Sequence, residues 1–233
     1  LKISYIQMPN NLILDTNLNT KAKYLYLVLK MSSTDNISII YTKTLLKKLQ
    51  WSNTKTLKKY LTQLKHQGYI QYDFNKLPKH KPMEIKLLPK GYYTELDREI
   101  IHKTIEICKA VKIIRYTKDN NNNNIKKEVL ADLKEDAIIL LYLYEMYYNE
   151  NFSCGYACPS YEHIYKTLKI RQQNITAINK TLHDNYICKC ISGTYHQDDD
   201  GNIRQHNNRY IPNKIVTEDG KTRYKRHKVK NKI

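Results

Sequence analysis

A chain of 233 residues with 41% hydrophobic content has ample material for folded cores, in one large unit or two of ordinary size. Its 40 Lys+Arg against 22 Asp+Glu give a formal net charge of +18, a balance that repels itself in the free protein and attracts a polyanion. No apolar run approaches the length of a membrane-spanning helix and there is no basic amphipathic terminal anchor, which argues against a membrane partner. The bland alternative is a solvated lysine-rich surface produced by AT-rich codon usage. Tyrosine (21) far outnumbers phenylalanine (2), so aromatic positions are expected at core edges, where a hydroxyl can reach water. The chain begins at Leu1 without a secretory signal. The reading is of a trimmed piece of a cytosolic protein, in a reducing compartment.

The first unit is bounded at residues 1–90. Asn19-Thr20 precedes a helix over Lys21–Met31 with an apolar face through Ala22, Leu25, Val28 and Leu29. The β-branched segment Ile37–Tyr41 predicts a short strand. Thr42 is expected to cap a helix over Lys43–Gln50 that turns Leu45, Leu46 and Leu49 inward. After a turn at Trp51–Asn53, Ser52 is expected to cap the next helix, ended by a left-handed Gly68. Leu57, Leu61 and Leu64 make its buried seam, while Lys55, Lys58, Lys59 and Thr62 make a cationic face. A helix that buries leucines and shows lysines and threonines matches a DNA major groove. Tyr69–Phe74 and Met83–Leu88 read as strands around a basic loop carrying Lys76, Lys79, His80 and Lys81. That element order is a winged helix, whose contact set also takes in Lys43, Asn53 and Thr56. A unit that mediates only protein contacts is the alternative.

Residues 91–131 read as a connection. A helix from Glu95 to about Ile114 would bury Ile100, Ile101, Ile105 and Ile107, followed by a loop at the asparagine run Asn120–Asn124. The second unit, 132–216, opens with an apolar helix over Asp132–Tyr148, in the role of residues 20–31. Ser160 is expected to cap Tyr161–Lys169. A helix over Arg171–Asp184 follows, with Ile175, Ile178 and Leu182 inward and Gln173, Thr176, Ala177 and Lys180 outward. Asn185-Tyr186-Ile187 is read as the counterpart of Gly68-Tyr69-Ile70, asparagine taking the left-handed cap. A strand over Tyr186–Ser192, a polar hairpin tipped by Asp198–Asn202, and a last strand from Arg209 complete a second winged helix, an internal duplication of element order. Its contact set is Arg171, Gln172, Gln173, Thr176, Lys180, Arg204 and Arg209. Glutamine pairs with adenine, and long lysines grip phosphate. The tail, 217–233, is a charge block with nothing to bury, expected to lack fixed structure and either to clamp phosphates or to solubilise.

Catalytic and metal chemistry find little support. Cys154 and Cys158, with Cys188 and Cys190 and nearby His163, His183, His196 and His206, hint at zinc, but the spacing fits a knuckle poorly. Carboxylates are scattered except Asp198, Asp199 and Asp200, a turn-tip cluster of the solvated kind. No histidine pair for nuclease or relaxase chemistry and no phosphate-gripping glycine loop is present. The expectation is a non-enzymatic chain without cofactor, metal or small-molecule substrate.

Tyr5-Ile-Gln-Met-Pro-Asn-Asn-Leu, then Thr20-Lys-Ala-Lys-Tyr-Leu-Tyr, then the helix ending Leu64-Lys-His-Gln-Gly-Tyr-Ile resemble the N-terminal winged helix of plasmid replication initiators from low-GC Gram-positive bacteria. The resemblance covers residues 4–88, with an aromatic-x-Gln-hydrophobe-Pro lead-in to the first helix. The segment after Met31 lacks the longer polar insertion usual there. The resemblance implies binding to repeated origin sites, a homodimer, and contact with replication machinery. The expectation is therefore an α+β, mainly helical chain of two tandem winged helices (helix-turn-helix with β-wing) that binds double-stranded DNA of a plasmid or phage as a replication initiator. Alternatives are a transcriptional repressor or activator, and a protein-interaction or partition adaptor; RNA binding is disfavoured because no sheet carries a base-stacking aromatic pattern.

Overall fold

The two most continuous apolar segments, Tyr24–Leu29 and Ala137–Tyr144, become the helices against which the rest packs. The structure is a computed structural model that describes residues 5–118, 124–150, 155–197, 203–205, 207–212, 214–216 and 222–224. Helix outweighs strand, 46% against 25%, in a mixed α/β chain. The order is β1 (Tyr5–Pro9), α1 (Asn10–Leu14), α2 (Thr20–Met31), β2 (Ser33–Thr34), β3 (Ile37–Ile40), α3 (Thr42–Leu49), α4 (Thr54–His66), β4 (Ile70–Gln71), β5 (Met83–Leu87) and β6 (Tyr93–Asp97). Then come α5 (Arg98–Ile107), β7 (Val111–Lys118) and β8 (Asn124–Ala131). The remainder is α6 (Lys134–Glu150), α7 (Tyr161–Leu168), α8 (Gln172–Asp184), β9 (Cys188–Ile191), β10 (Tyr195–Gln197), β11 (Ile203–Gln205), β12 (Arg209–Pro212), β13 (Lys214–Val216) and β14 (Thr222–Tyr224). No helix among the described residues is long and apolar enough to cross a membrane.

α2 was expected to bury one face, yet every residue from Ala22 to Leu29 is buried. The reason is its surroundings: α3, α4, α6 and β1 all pack on it. α6 is likewise buried from Ala137 through Met146, against α1, α2, α5, α7, β6 and β12. A helix apolar all round belongs in an interior, and these two lie against each other in one continuous core. Each fully buried aliphatic or aromatic side chain there stabilises the fold by roughly 1.5–3 kcal/mol.

Several tyrosines lie in the core centre rather than at its edges. Tyr24, Tyr26, Tyr142, Tyr144 and Tyr210 are among the largest fully buried side chains. Tyr142 OH donates to the Ile6 carbonyl at 2.9 Å, and Tyr144 OH to Asn179 Oδ1 at 2.9 Å. Tyr144 also stacks on Tyr210, with centroids 4.0 Å apart and planes 8° from parallel. Burial pushes both the Tyr142 and Tyr144 hydroxyls well above their ordinary range, so each remains a neutral donor.

Strand pairing departs from expectation in the middle of the chain. β6 pairs antiparallel with β1, Tyr5 opposite Asp97, where the start of a connecting helix was read. That helix ends at Ile107, and Val111–Lys118 leaves as one arm of the β7–β8 hairpin. Its β-branched run fits a pleated strand, with Val111 and Ile113 buried and Lys112, Ile114 and Tyr116 exposed. The β2-β3-β5-β4 sheet is antiparallel, and its β2–β3 turn uses Asp35 (φ 49°) and Asn36 (φ 63°), residue types that tolerate the left-handed region. β4 stops after Gln71, short of the strand read to Phe74, and Tyr72 instead stacks on Phe74 at 4.2 Å. β12 is not the last strand: β13 pairs with β14, whose Thr222–Tyr224 falls in the tail expected to lack structure. The aspartate-rich tip at 198–202 and residues 225–233 lie outside the described residues.

Lys23 is fully buried, its Nζ donating to the Ile13 carbonyl at 2.8 Å and to the Thr167 carbonyl at 3.4 Å, so it ties α1 and α2 to α7. Burial pushes its ammonium down to about 7, against an opposing pull from Asp15. Between about pH 7 and the ordinary value of 10.5 the unfolded chain therefore holds a proton that the folded chain does not, and the stability contributed at this site rises with pH. Urea unfolding is expected to show wild type gaining stability relative to Lys23→Met from about pH 7 to pH 9. A wild-type-to-variant difference that stays flat over that window would contradict this assignment.

Candidate nucleic-acid interface

Two helix-turn-helix segments repeat in detail. α3 and α7 each have eight residues and end in a left-handed residue, Gln50 (φ 57°) or Lys169 (φ 60°). α4 and α8 each have 13 residues, and the buried positions Leu57, Tyr60, Leu61 and Leu64 correspond to Ile175, Ile178, Asn179 and Leu182. The termini close alike: Gly68 N–H reaches the Lys65 carbonyl and Tyr69 N–H the Leu64 carbonyl, as Tyr186 N–H reaches His183 and Ile187 N–H reaches Leu182. The left-handed residue after α8 is thus Tyr186 (φ 58°), not Asn185 (φ −100°) as expected. Each second helix leads to an antiparallel strand pair, β4–β5 or β9–β12.

In the first copy a groove of about 460 Å³ opens between the first turns of α3 and α4 and the loop after β4. Lys43, Lys55, Lys58, Lys76 and Lys79 line it, with Leu46, Leu77 and Pro78, and no carboxylate is among its lining residues. Thr42 was expected to cap α3, but Tyr41 holds the N-cap position without a side-chain bond. Thr42 Oγ1 donates instead to the Pro78 carbonyl at 2.9 Å, fixing the basic loop beside the helix. Asn53 rather than Ser52 caps α4, its Oδ1 accepting the Lys55 N–H at 2.7 Å. Neither α3 nor α4 has an acidic residue in its first turn. Two helix N-termini that favour negative charge therefore open onto five lysines with no internal anion, a surface suited to phosphate.

Other expected contact residues lie outside that groove. Thr62 and Lys81 are exposed, and Thr56 is half-buried. Lys59 Nζ sits 5.6 Å from the Tyr60 ring centroid. In the second copy Arg171, Gln172 and Gln173 are exposed, and Ala177 packs on the core instead of facing outward. Thr176 and Lys180 border a groove of about 240 Å³ with Tyr161, His183, Asp184 and Cys190. Thr176 Oγ1 is occupied locally, donating to the Gln172 carbonyl at 3.1 Å. Arg209 lies over the Tyr156 ring at 5.0 Å, and Arg204 is described only as backbone in β11, opposite His196. Sequence reasoning missed Thr42 and Thr54 on the groove wall. Their place in the first turns of two adjacent helices was the available signal.

The first turn of α6 holds both copies. Trp51, in the turn between α3 and α4, donates Nε1–H to Glu135 Oε1 at 2.9 Å. Thr20 Oγ1 donates to Asp136 Oδ1 at 2.5 Å, and the Asn174 side chain of α8 favours the charged form of the same carboxyl. Burial holds the Asp136 carboxyl above its ordinary range, against these hydrogen bonds pulling it down. Asn19 caps α2 by accepting the Ala22 N–H at 3.0 Å and donates Nδ2–H to Tyr60 OH of α4 at 3.2 Å.

Cys188 and Cys190 share a strand face with sulfurs 4.0 Å apart, and no group of three or more His, Cys, Asp or Glu side chains is placed to hold a metal among the described residues. Comparison with family models, curated proteins and solved structures returns no match for this chain.

Asp136→Ala removes the acceptor of the Thr20 bond together with the carboxyl that Asn174 faces, and is expected to cost more than Thr20→Val, which removes one hydrogen bond to a carboxylate worth about 1.5–3 kcal/mol. Urea titration of the two variants checks both size and order; a Thr20 variant as damaged as the Asp136 variant would contradict the shared-acceptor role.

Proposed function

We propose that this chain is a non-enzymatic, double-stranded DNA-binding protein built as two tandem winged helices, and that it initiates replication of a plasmid or phage in the bacterial cytoplasm. One observation carries the DNA reading: Lys43, Lys55, Lys58, Lys76 and Lys79 converge on a groove formed by two helix N-termini and a basic loop. The net charge of +18 and the repeated helix-turn-helix geometry support it. The initiator role rests on the resemblance carried by residues 4–88, which also implies a homodimer and replication machinery as partners.

In this reading α4 and α8 enter successive major grooves on one face of the duplex. The copies divide the work. Lys55 and Lys58, with Lys76 and Lys79 from the wing, neutralise phosphates and supply affinity. Gln173 at the exposed start of α8 has the donor–acceptor pair that matches adenine, and Lys180 grips the backbone farther along.

Selection of bound duplexes from a plasmid-derived pool tests the role. Repeats beside an origin support initiation, whereas a single site over a promoter would make the chain a transcription regulator. On a selected site, Lys55→Ala with Lys58→Ala is expected to weaken all duplexes alike and lower the slope of log affinity against log salt by about 2. Gln173→Ala is expected to relax discrimination at one base pair by about 1–3 kcal/mol with little change in salt slope. Wild-type affinity in the double-lysine variant would reject the groove as the contact surface.

A further inference from the structure

The β7–β8 hairpin, Val111–Lys118 paired with Asn124–Ala131, was read as helix and loop and has no part in the interface above. Its root is anchored: Val111 and Ile113 are buried in the core, and β7 packs along α8. Beyond the root it stands in solvent, with Tyr116 69% exposed and Arg115, Lys118, Lys126 and Lys127 exposed as well. The two strands carry Lys112, Arg115, Lys118, Lys126 and Lys127 against the lone carboxylate of Glu128. Glu128 pairs with Lys112 at 3.3 Å, and the other four cations make no salt bridge among the described residues. Arg115 lies directly opposite Lys127 in the ladder. Like charges facing each other across a strand pair destabilise it, so this arrangement is costly in the free protein and favourable only beside an anion.

We infer that the β7–β8 hairpin is a cationic ribbon that grips the phosphate backbone of duplex DNA beside the segment met by α8. The inference rests on the DNA reading and extends it to a third contacting element. A two-stranded ribbon fits a groove of the duplex. Alternation puts cations on both faces: Arg115 and Lys127 on one, Lys118 and Lys126 on the other with Tyr116. A ribbon lying between two phosphate walls uses both faces, whereas a flat protein surface uses one. A second copy of the chain is the poorer occupant, because ribbon against ribbon sets these cations against themselves. The exposed Tyr116, Ile114 and Ile125 supply apolar area for the sugar edges between phosphates.

The test uses the full chain, a mixed-sequence duplex of about 40 bp, long enough for about four helical turns, and a salt series. Arg115→Gln with Lys126→Gln and Lys127→Gln is compared with Lys55→Ala/Lys58→Ala. The ribbon variant is expected to keep or raise the melting temperature, since it relieves like-charge repulsion, and to lower the salt slope by about 2–3. Arg115→Gln alone should lower it by about 1 and serves if the triple variant folds poorly. A wild-type slope in the ribbon variant, with weakened binding in the Lys55/Lys58 variant, overturns the ribbon and leaves the DNA reading standing. Absence of duplex binding by the wild-type chain at low salt overturns both. Loss of self-association in sedimentation, with the salt slope intact, overturns the ribbon in favour of a contact between copies.

Discussion

The contact of α2 with α6 is the constraint on which the rest of the molecule depends. Both helices are apolar on every side over their middle turns, so neither can lie at a surface. Packed together, each uses the other to cover one side and its own neighbours to cover the rest. For α2 these are α3, α4 and β1, and for α6 they are α5, α7 and β12. The repeated helix-turn-helix segments thus grow outward from a shared interior. Three of the polar groups held inside bridge elements: Tyr142 bonds a backbone carbonyl of β1, Tyr144 bonds Asn179 of α8, and Lys23 bonds carbonyls of α1 and α7. Each such bond spans elements distant in the sequence, so the core fixes orientation as well as burial.

Charge is distributed by a different rule. Two carboxylates tied to distant elements sit at the first turn of α6, where Glu135 and Asp136 meet the helix N-terminus and receive Trp51 and Thr20. The first turns of α3, α4 and α8 carry none. Lys43 and Lys55 therefore remain without an acidic partner in the first turns of α3 and α4, and repulsion among the lysines there opposes folding. The large buried surface of α2 and α6 offsets that opposition.

Much of this was legible in the residues. The leucine seam of α4 and the isoleucine seam of α8 follow helical spacing and are buried as read, with Tyr60 added to the first and Asn179, whose partner is Tyr144, added to the second. The complete burial of α2 and α6 was visible too, in runs with no polar face, though an amphipathic reading was imposed on α2. The pairing of β1 with β6 was not legible, because it joins segments from opposite ends of the first ninety-odd residues through contacts such as Gln7 Nε2–H to Glu95 Oε1 at 2.6 Å. Ile100, Ile101, Ile105 and Ile107 drew the expected helix too far, since the isoleucines at 113 and 114 continue its spacing. The signal for a strand lay in β-branched density from Val111 onward, which a helical count ignores. In the candidate interface, lysine positions on α4 were readable from helical phase. Their meeting with Lys76 and Lys79 depends on the Thr42-to-Pro78 bond, and no local pattern announces that.

The two copies differ by one residue, and this explains how each second helix is held. Between the left-handed Gln50 and α4 lie Trp51, Ser52 and Asn53, whereas between Lys169 and α8 lie only Ile170 and Arg171. The longer turn has room for a capping asparagine and for a tryptophan that reaches Glu135. The shorter turn has neither: α8 starts after Arg171 without a side-chain cap, and its compensating tie is Asn174 to Asp136. Both ties end on adjacent residues of the same helical turn. The turn before α4 and the first turn of α8 are thus both placed against the first turn of α6, so the core takes part in holding the two helices. Under the proposed DNA reading, a shared anchor of this kind sets the spacing at which two helices would meet one duplex.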